Sequence, residues 1–144
     1  MYRRIMVAFD GGEASERALL EAIGIAKHSQ AHVWVTFVLD ESKVYSFPVA
    51  HRNELIAAGG RMLEHAQLRL QQAGVSCQSE LLEIDNIHES VAACLKRYAR
   101  RHEVDLVVMG TSGRSGLRRM AFGSVAEEFV RIAQWPTLLV HGDS

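Results

Sequence analysis

Residues 109–124 read Met-Gly-Thr-Ser-Gly-Arg-Ser-Gly-Leu-Arg-Arg-Met-Ala-Phe-Gly-Ser. Glycines fall at 110, 113, 116 and 123, and arginines at 114, 118 and 119. An apolar run over 104–109 precedes this stretch, and a helical pattern begins near Val125. Glycine lets backbone approach a ligand with no Cβ in the way, and a helix N-terminus offers unpaired N–H groups and a favourable dipole. The chemistry indicated is anion binding, and phosphate above all. A second candidate is Asp10, which follows the apolar run Ile5–Phe9 and precedes Gly11-Gly12.

Positioning these residues takes a particular order of elements. Ile5–Phe9 is continuously apolar, as expected of a strand buried on both faces. Ala18, Ala22 and Ala26, with Leu19 and Ile23 on an adjoining face, predict a helix from about Glu13 to His28. His32–Leu39 is β-branched and aromatic and predicts a second strand. Residues 40–52 are mixed in polarity, contain Pro48, and read as a long connection or a lid. A helix from about Asn53 should stop near Ala73-Gly74, with Gly59-Gly60 marking a kink or a late start. Val75–Leu82 alternates weakly, as an edge strand does. Val91–Ala99 then predicts a helix, Val104–Met109 a strand, Ala126–Ala133 a helix, and Thr137–Val140 a last strand behind Pro136.

This β-α-β-α-β-α-β-α-β order implies a parallel sheet covered on both faces, a doubly wound three-layer α/β/α sandwich. Such sheets bind ligands beyond the carboxyl ends of their strands, where strand order reverses. With the first strand beside the fourth, Asp10 and Gly110 flank that crevice.

Bulk properties exclude several other classes. The chain has 144 residues, expected to form one domain over 1–144, of which 48% are hydrophobic and 23% charged. A net charge of −1 provides no global basic field for nucleic acid. No apolar run approaches the roughly 18 residues of a membrane helix, and the first residues do not read as a signal peptide. Cys77 and Cys94 are isolated and read as buried thiols in a reduced compartment, so a cytoplasmic location is expected. The seven histidines form no recognisable ligand pair, and no metal site is expected.

Known phosphate motifs narrow the choice. No glycine precedes a lysine, so there is no Walker loop, and Gly-x-Gly-x-x-Gly does not follow the first strand. Residues 10–15 partly resemble the Ser-Gly-Gly-x-Asp-Ser loop of ATP pyrophosphatases, but Asp10 replaces the first serine and Ala14 the aspartate. Gly110-x2-Gly113-x9-Gly123-Ser124 resembles the nucleotide signature of the universal stress protein family, in its ATP-binding branch. The likeness runs the length of the chain. It takes in the first strand ending in aspartate, Val-Leu-Asp at 38–40, Val-Met-Gly-Thr at 108–111 and Gly-Ser-Val at 123–125. Gly12 departs from it, because many relatives carry serine there.

The resemblance implies a Rossmann-like, adenine nucleotide alpha hydrolase-like sheet of strand order 3-2-1-4-5. It implies ATP, or AMP or ADP, as ligand, with Mg²⁺ carried on the phosphates and no protein ligand identifiable. Asp10 would sit at the nucleoside end, and Ala8 and Val38 would line the adenine pocket. Gly110 and Gly113 would present backbone N–H groups to ribose and phosphates, and Met109 would contact the nucleotide through its backbone or side chain. Arg114, or a neighbouring arginine, would touch phosphate, and Gly123, Ser124 and Val125 would hold the phosphate chain. Each residue also has a plain structural role open to it. Asp10 could cap the first helix, Ser124 the last, Ala8, Val38 and Met109 could be core, and the glycines could be positive-φ turn residues. The loop has no lysine, and no paired carboxylates suit hydrolysis. The family points to a stress-response regulatory module with at most slow hydrolysis or autophosphorylation. A dedicated ATPase or phosphotransferase and a nucleotide-free scaffold are the alternatives. The family also pairs through its last strand, which implies a homodimer through Thr137–Val140.

Overall fold

The computed structural model describes residues 1–40, 48–84, 86–111 and 123–142. The elements run β1 (Arg4–Ala8), α1 (Glu13–Ser29), β2 (His32–Leu39), α2 (Val49–Gln72), β3 (Ser76–Glu83), α3 (Val91–Arg101), β4 (Leu106–Thr111), α4 (Ser124–Ile132) and β5 (Thr137–His141). The five strands form one sheet of order β3-β2-β1-β4-β5, and every neighbouring pair is parallel. The expected α/β fold and strand order are therefore observed.

Side chains alternate across the strands, so one strand serves two cores. Ile5, Val7, Val33, Val35, Leu106 and Val108 face α1 and α2. Met6, Trp34, Val107 and Met109 face α3 and α4. On α1 the buried residues are chiefly small, Ala18, Ala22 and Ala26 beside Leu19, which lets this helix lie close to the sheet. Glu13 and Glu16 in its first turn, and Lys27 and His28 in its last, complement the helix dipole.

Two boundaries differ from the sequence expectation. α2 begins at Val49, directly after Pro48, because its first turn is exposed and carries no apolar face to read. Gly59-Gly60 does not start this helix, which runs through both residues without a break. Gly59 instead packs where a Cβ would stand 3.0 Å from the Phe37 ring. The helix ends as expected at Gly74, whose φ of +77 permits a Schellman closure. Gly74 N–H donates to the Gln71 carbonyl at 2.9 Å, and Val75 N–H to that of Leu70 at 2.9 Å.

At the amino end of the sheet, an aromatic cluster joins β2 to α3. The His102 ring lies 4.3 Å from that of Tyr98 and 5.1 Å from that of Trp34. The Arg4 guanidinium lies over Trp34 at 4.9 Å, and the Tyr98 hydroxyl donates to Glu80. The carboxyl end is built differently. There the chain leaves β1 for β2 on one side, while β4 and β5 extend the sheet on the other, so strand order reverses between β1 and β4.

Candidate nucleotide site

Asp10 lies just beyond β1 at this switch point and is exposed. Its Oδ1 accepts the Gly12 N–H at 2.9 Å, forming an Asx turn. The same oxygen lies 2.9 Å from the Ser15 hydroxyl, which is also 3.0 Å from the Gly12 carbonyl. Ser15 is only 5% exposed, so the carboxylate is held from beneath by a buried hydroxyl. Gly11 completes the turn with φ of +81, a conformation that favours glycine. Asp10 is therefore not the cap of α1. That position is Gly12, which contributes no side-chain bond, and the carboxylate is fixed two residues upstream of it.

Gly110 lies across the switch point, next to the first turn of α1. A Cβ on Gly110 would stand 2.5 Å from the Ala14 carbonyl carbon and 2.7 Å from the Ser15 nitrogen. Glycine here brings β4 against the helix turn that holds Asp10. Neither Gly110 nor Gly123 has positive φ, so the turn-residue explanation does not account for them. Gly123 is the extended N-cap of α4, and Ser124 is the first helical residue and is exposed. The expectation that Ser124 caps α4 is thus corrected. Among the described residues no side chain caps this helix, and geometry leaves its first N–H groups without partners inside the helix.

The remaining expected residues fall on the α3/α4 face at the same end. Ala8 and Val38 are half-buried there. Met109 is 3% exposed, so its side chain belongs to the core and only its backbone borders the crevice. Val125 is half-buried against the same core. Gly113 and Arg114, with Arg118 and Arg119, lie outside the described residues, as do 41–47 of the expected connection. Two contributors were not singled out from the sequence. Ser15 was legible in principle, as a small hydroxyl residue in the first turn of the helix that follows Asp10. Thr111, 1% exposed and 3.0 Å from Nδ1 of His141 through its hydroxyl, depends on strand pairing that no local pattern carries.

Cys94 is buried, but Cys77 is half-buried rather than buried, and desolvation pushes its thiol up and keeps it protonated. Among the described residues no three His, Cys, Asp or Glu side chains gather to hold a metal ion. Nor is any described helix long and apolar enough to cross a membrane.

The universal stress protein family model matches residues 1–141. The chain belongs to the universal stress protein family. A universal stress protein of Methanocaldococcus jannaschii is 34% identical over 145 residues, covering 97% of this chain and 82% of that one. A solved member from Burkholderia pseudomallei is 29% identical, covers 96% of each chain and superposes with a TM-score of 0.76. Two more distant universal stress protein structures share the fold and were solved with adenine nucleotides. One, from Archaeoglobus fulgidus, is in complex with dAMP (21% identity, TM-score 0.72, covering 96% of this chain and 98% of that one). The other is in complex with cAMP (23% identity, TM-score 0.71, covering 99% and 98%).

Proposed function

We propose that this chain is an adenine-nucleotide-binding regulatory module of the stress response, with ATP as its ligand and at most slow hydrolysis or autophosphorylation. The observation that carries the reading is the presence of two features at the carboxyl end of the sheet. One is a carboxylate, Asp10, fixed by Gly12 and Ser15. The other is the N-terminus of α4 at Gly123, which no side chain among the described residues caps. The residues present suit an adenine nucleotide. Half-buried Ala8 and Val38 offer an apolar wall for the base, and Asp10 offers an acceptor at the nucleoside end. Backbone at Gly110 and Gly113 would approach ribose and phosphate, and the amides of Ser124 and Val125 would receive phosphate oxygens. Mg²⁺ would ride on the phosphates with water completing its shell. Complexes of structural neighbours with dAMP and cAMP support an adenine ligand.

The reading includes a cytoplasmic homodimer paired through Thr137–Val140, since β5 lies at one edge of the sheet and Leu138 is 36% exposed. The test is to denature the purified protein, identify the released nucleotide, and compare ATP affinity with that of Gly113→Val. An adenine nucleotide in the wild type, and weakened ATP binding in the variant, are expected. Failure of the native protein to bind ATP would overturn the reading.

A further inference from the structure

We propose that His141, oriented by Thr111, is a phosphate-end residue of this site and sets a preference for ATP over AMP; the inference rests on the adenine-nucleotide reading above. The register of the sheet supplies the argument. Ala8 pairs with Thr36 on β2 and with Met109 on β4. Two residues further along, Val38, Thr111 and His141 therefore stand at one level on β2, β4 and β5, and Thr111 pairs directly with His141. Alternation puts all three on the α3/α4 face, because Val38, Met109 and Leu139 all pack into that core.

This level forms a row across the carboxyl rim. Three strand spacings separate Val38 from His141, about 14 Å, the scale of an extended nucleoside polyphosphate. With the base against Ala8 and Val38, a monophosphate ends near β1 and β4, and only the outer phosphates reach β5. In a parallel α/β layer the helix runs back along the strands, so the start of α4 lies at the same end and on the same face.

Local chemistry suits His141 to that position. Thr111 is 1% exposed, and its hydroxyl lies 3.0 Å from Nδ1 of His141, while the histidine itself is exposed. In the tautomer in which the threonine hydroxyl donates to Nδ1, the ring proton is on Nε2. In that tautomer the other ring nitrogen is an N–H donor, matched to a phosphate oxygen. Gly142 anchors the end of this strand, since a Cβ there would lie 3.3 Å from the Ala14 backbone nitrogen. Thr111 is accordingly a positioning residue.

The experiment is calorimetric titration of the full chain with ATP and with AMP. It compares wild type, His141→Ala, His141→Gln and Thr111→Val, each checked by thermal melting. His141→Ala should lose about tenfold in ATP affinity and leave AMP affinity unchanged. His141→Gln, which keeps a donor near Nε2, should retain most of the ATP affinity, and Thr111→Val should shift the ATP/AMP ratio in the same direction as His141→Ala. Equal loss for both nucleotides, or loss for neither, in a wild type that binds would overturn the role of His141 and leave the site standing. Failure of the wild type to bind either nucleotide would overturn both.

Discussion

Replacing Gly110 with alanine should destabilise the protein by about 2–3 kcal/mol. The new Cβ would lie 2.5 Å from the Ala14 carbonyl carbon and 2.7 Å from both the Ala14 Cβ and the Ser15 nitrogen. Two of these three atoms are backbone, so no rotamer change relieves the contact, and β4 and α1 must separate by about an ångström. The separation is resisted along the helix, because Ala18, Leu19, Ala22 and Ala26 are all fixed in the core below. For a chain of this size the cost corresponds to a fall in melting temperature of roughly 6–10 °C. It also draws Ser15 away from Asp10, so ATP affinity should fall with stability. Urea denaturation followed by circular dichroism reads the first effect as a lower midpoint at unchanged slope. Gly24→Ala, in the same helix with nothing within 4 Å of its Cβ, is the comparison and should be neutral or stabilising. A Gly110→Ala midpoint equal to that of the wild type would refute the packing argument.

Adjacent glycines in α2 should respond oppositely. Gly60→Ala meets nothing within 4 Å and should gain about 0.5–1 kcal/mol, whereas Gly59→Ala meets Phe37 at 3.0 Å and Leu81 at 3.1 Å and should lose about 1 kcal/mol, read by the same denaturation. Acid should weaken the fold through His102, whose pKa burial lowers from its ordinary 6.5, with Arg101, Arg4 and His32 acting in the same direction and Glu80 opposing. The unfolded chain then takes up this proton first, so stability is full above 6.5 and declines as pH falls below it; His102→Gln should show a shallower decline between about pH 7 and 5. Leu138→Lys places a charge on the edge strand β5 and should convert the proposed dimer to a chain of 16.0 kDa by light scattering; a wild type already of that mass would contradict the dimer.

The fold was legible where each element buries a face. Ile5–Phe9 and Leu106–Met109 are apolar because β1 and β4 are central and covered on both sides, and the alanine ladder of α1 shows which face it turns to the sheet. Legibility failed where burial did not set the pattern. The first turn of α2 is solvent-exposed, so Val49–Arg52 carries no period, and Gly59 is dictated by Phe37 and Leu81, which come from β2 and β3. The candidate site divides along the same line. Asp10, Gly110 and Gly123 stand at ends of elements, where residue type alone suggests a role. Ser15 beneath Asp10, and Thr111 beside His141, depend on how a turn folds back and how two strands pair.

The switch point between β1 and β4 is proposed to grip an adenine nucleotide. Equilibrium titration of ATP into nucleotide-stripped protein tests it most directly, with AMP and GTP as competitors and Asp10→Asn beside the wild type. Asparagine keeps an oxygen for the Asx turn and removes the carboxylate. Saturable binding of one ATP per chain is expected, displaced by AMP and not by GTP, and weakened about tenfold or more in Asp10→Asn. Absence of saturable binding by the wild type, or equal displacement by GTP, would contradict it.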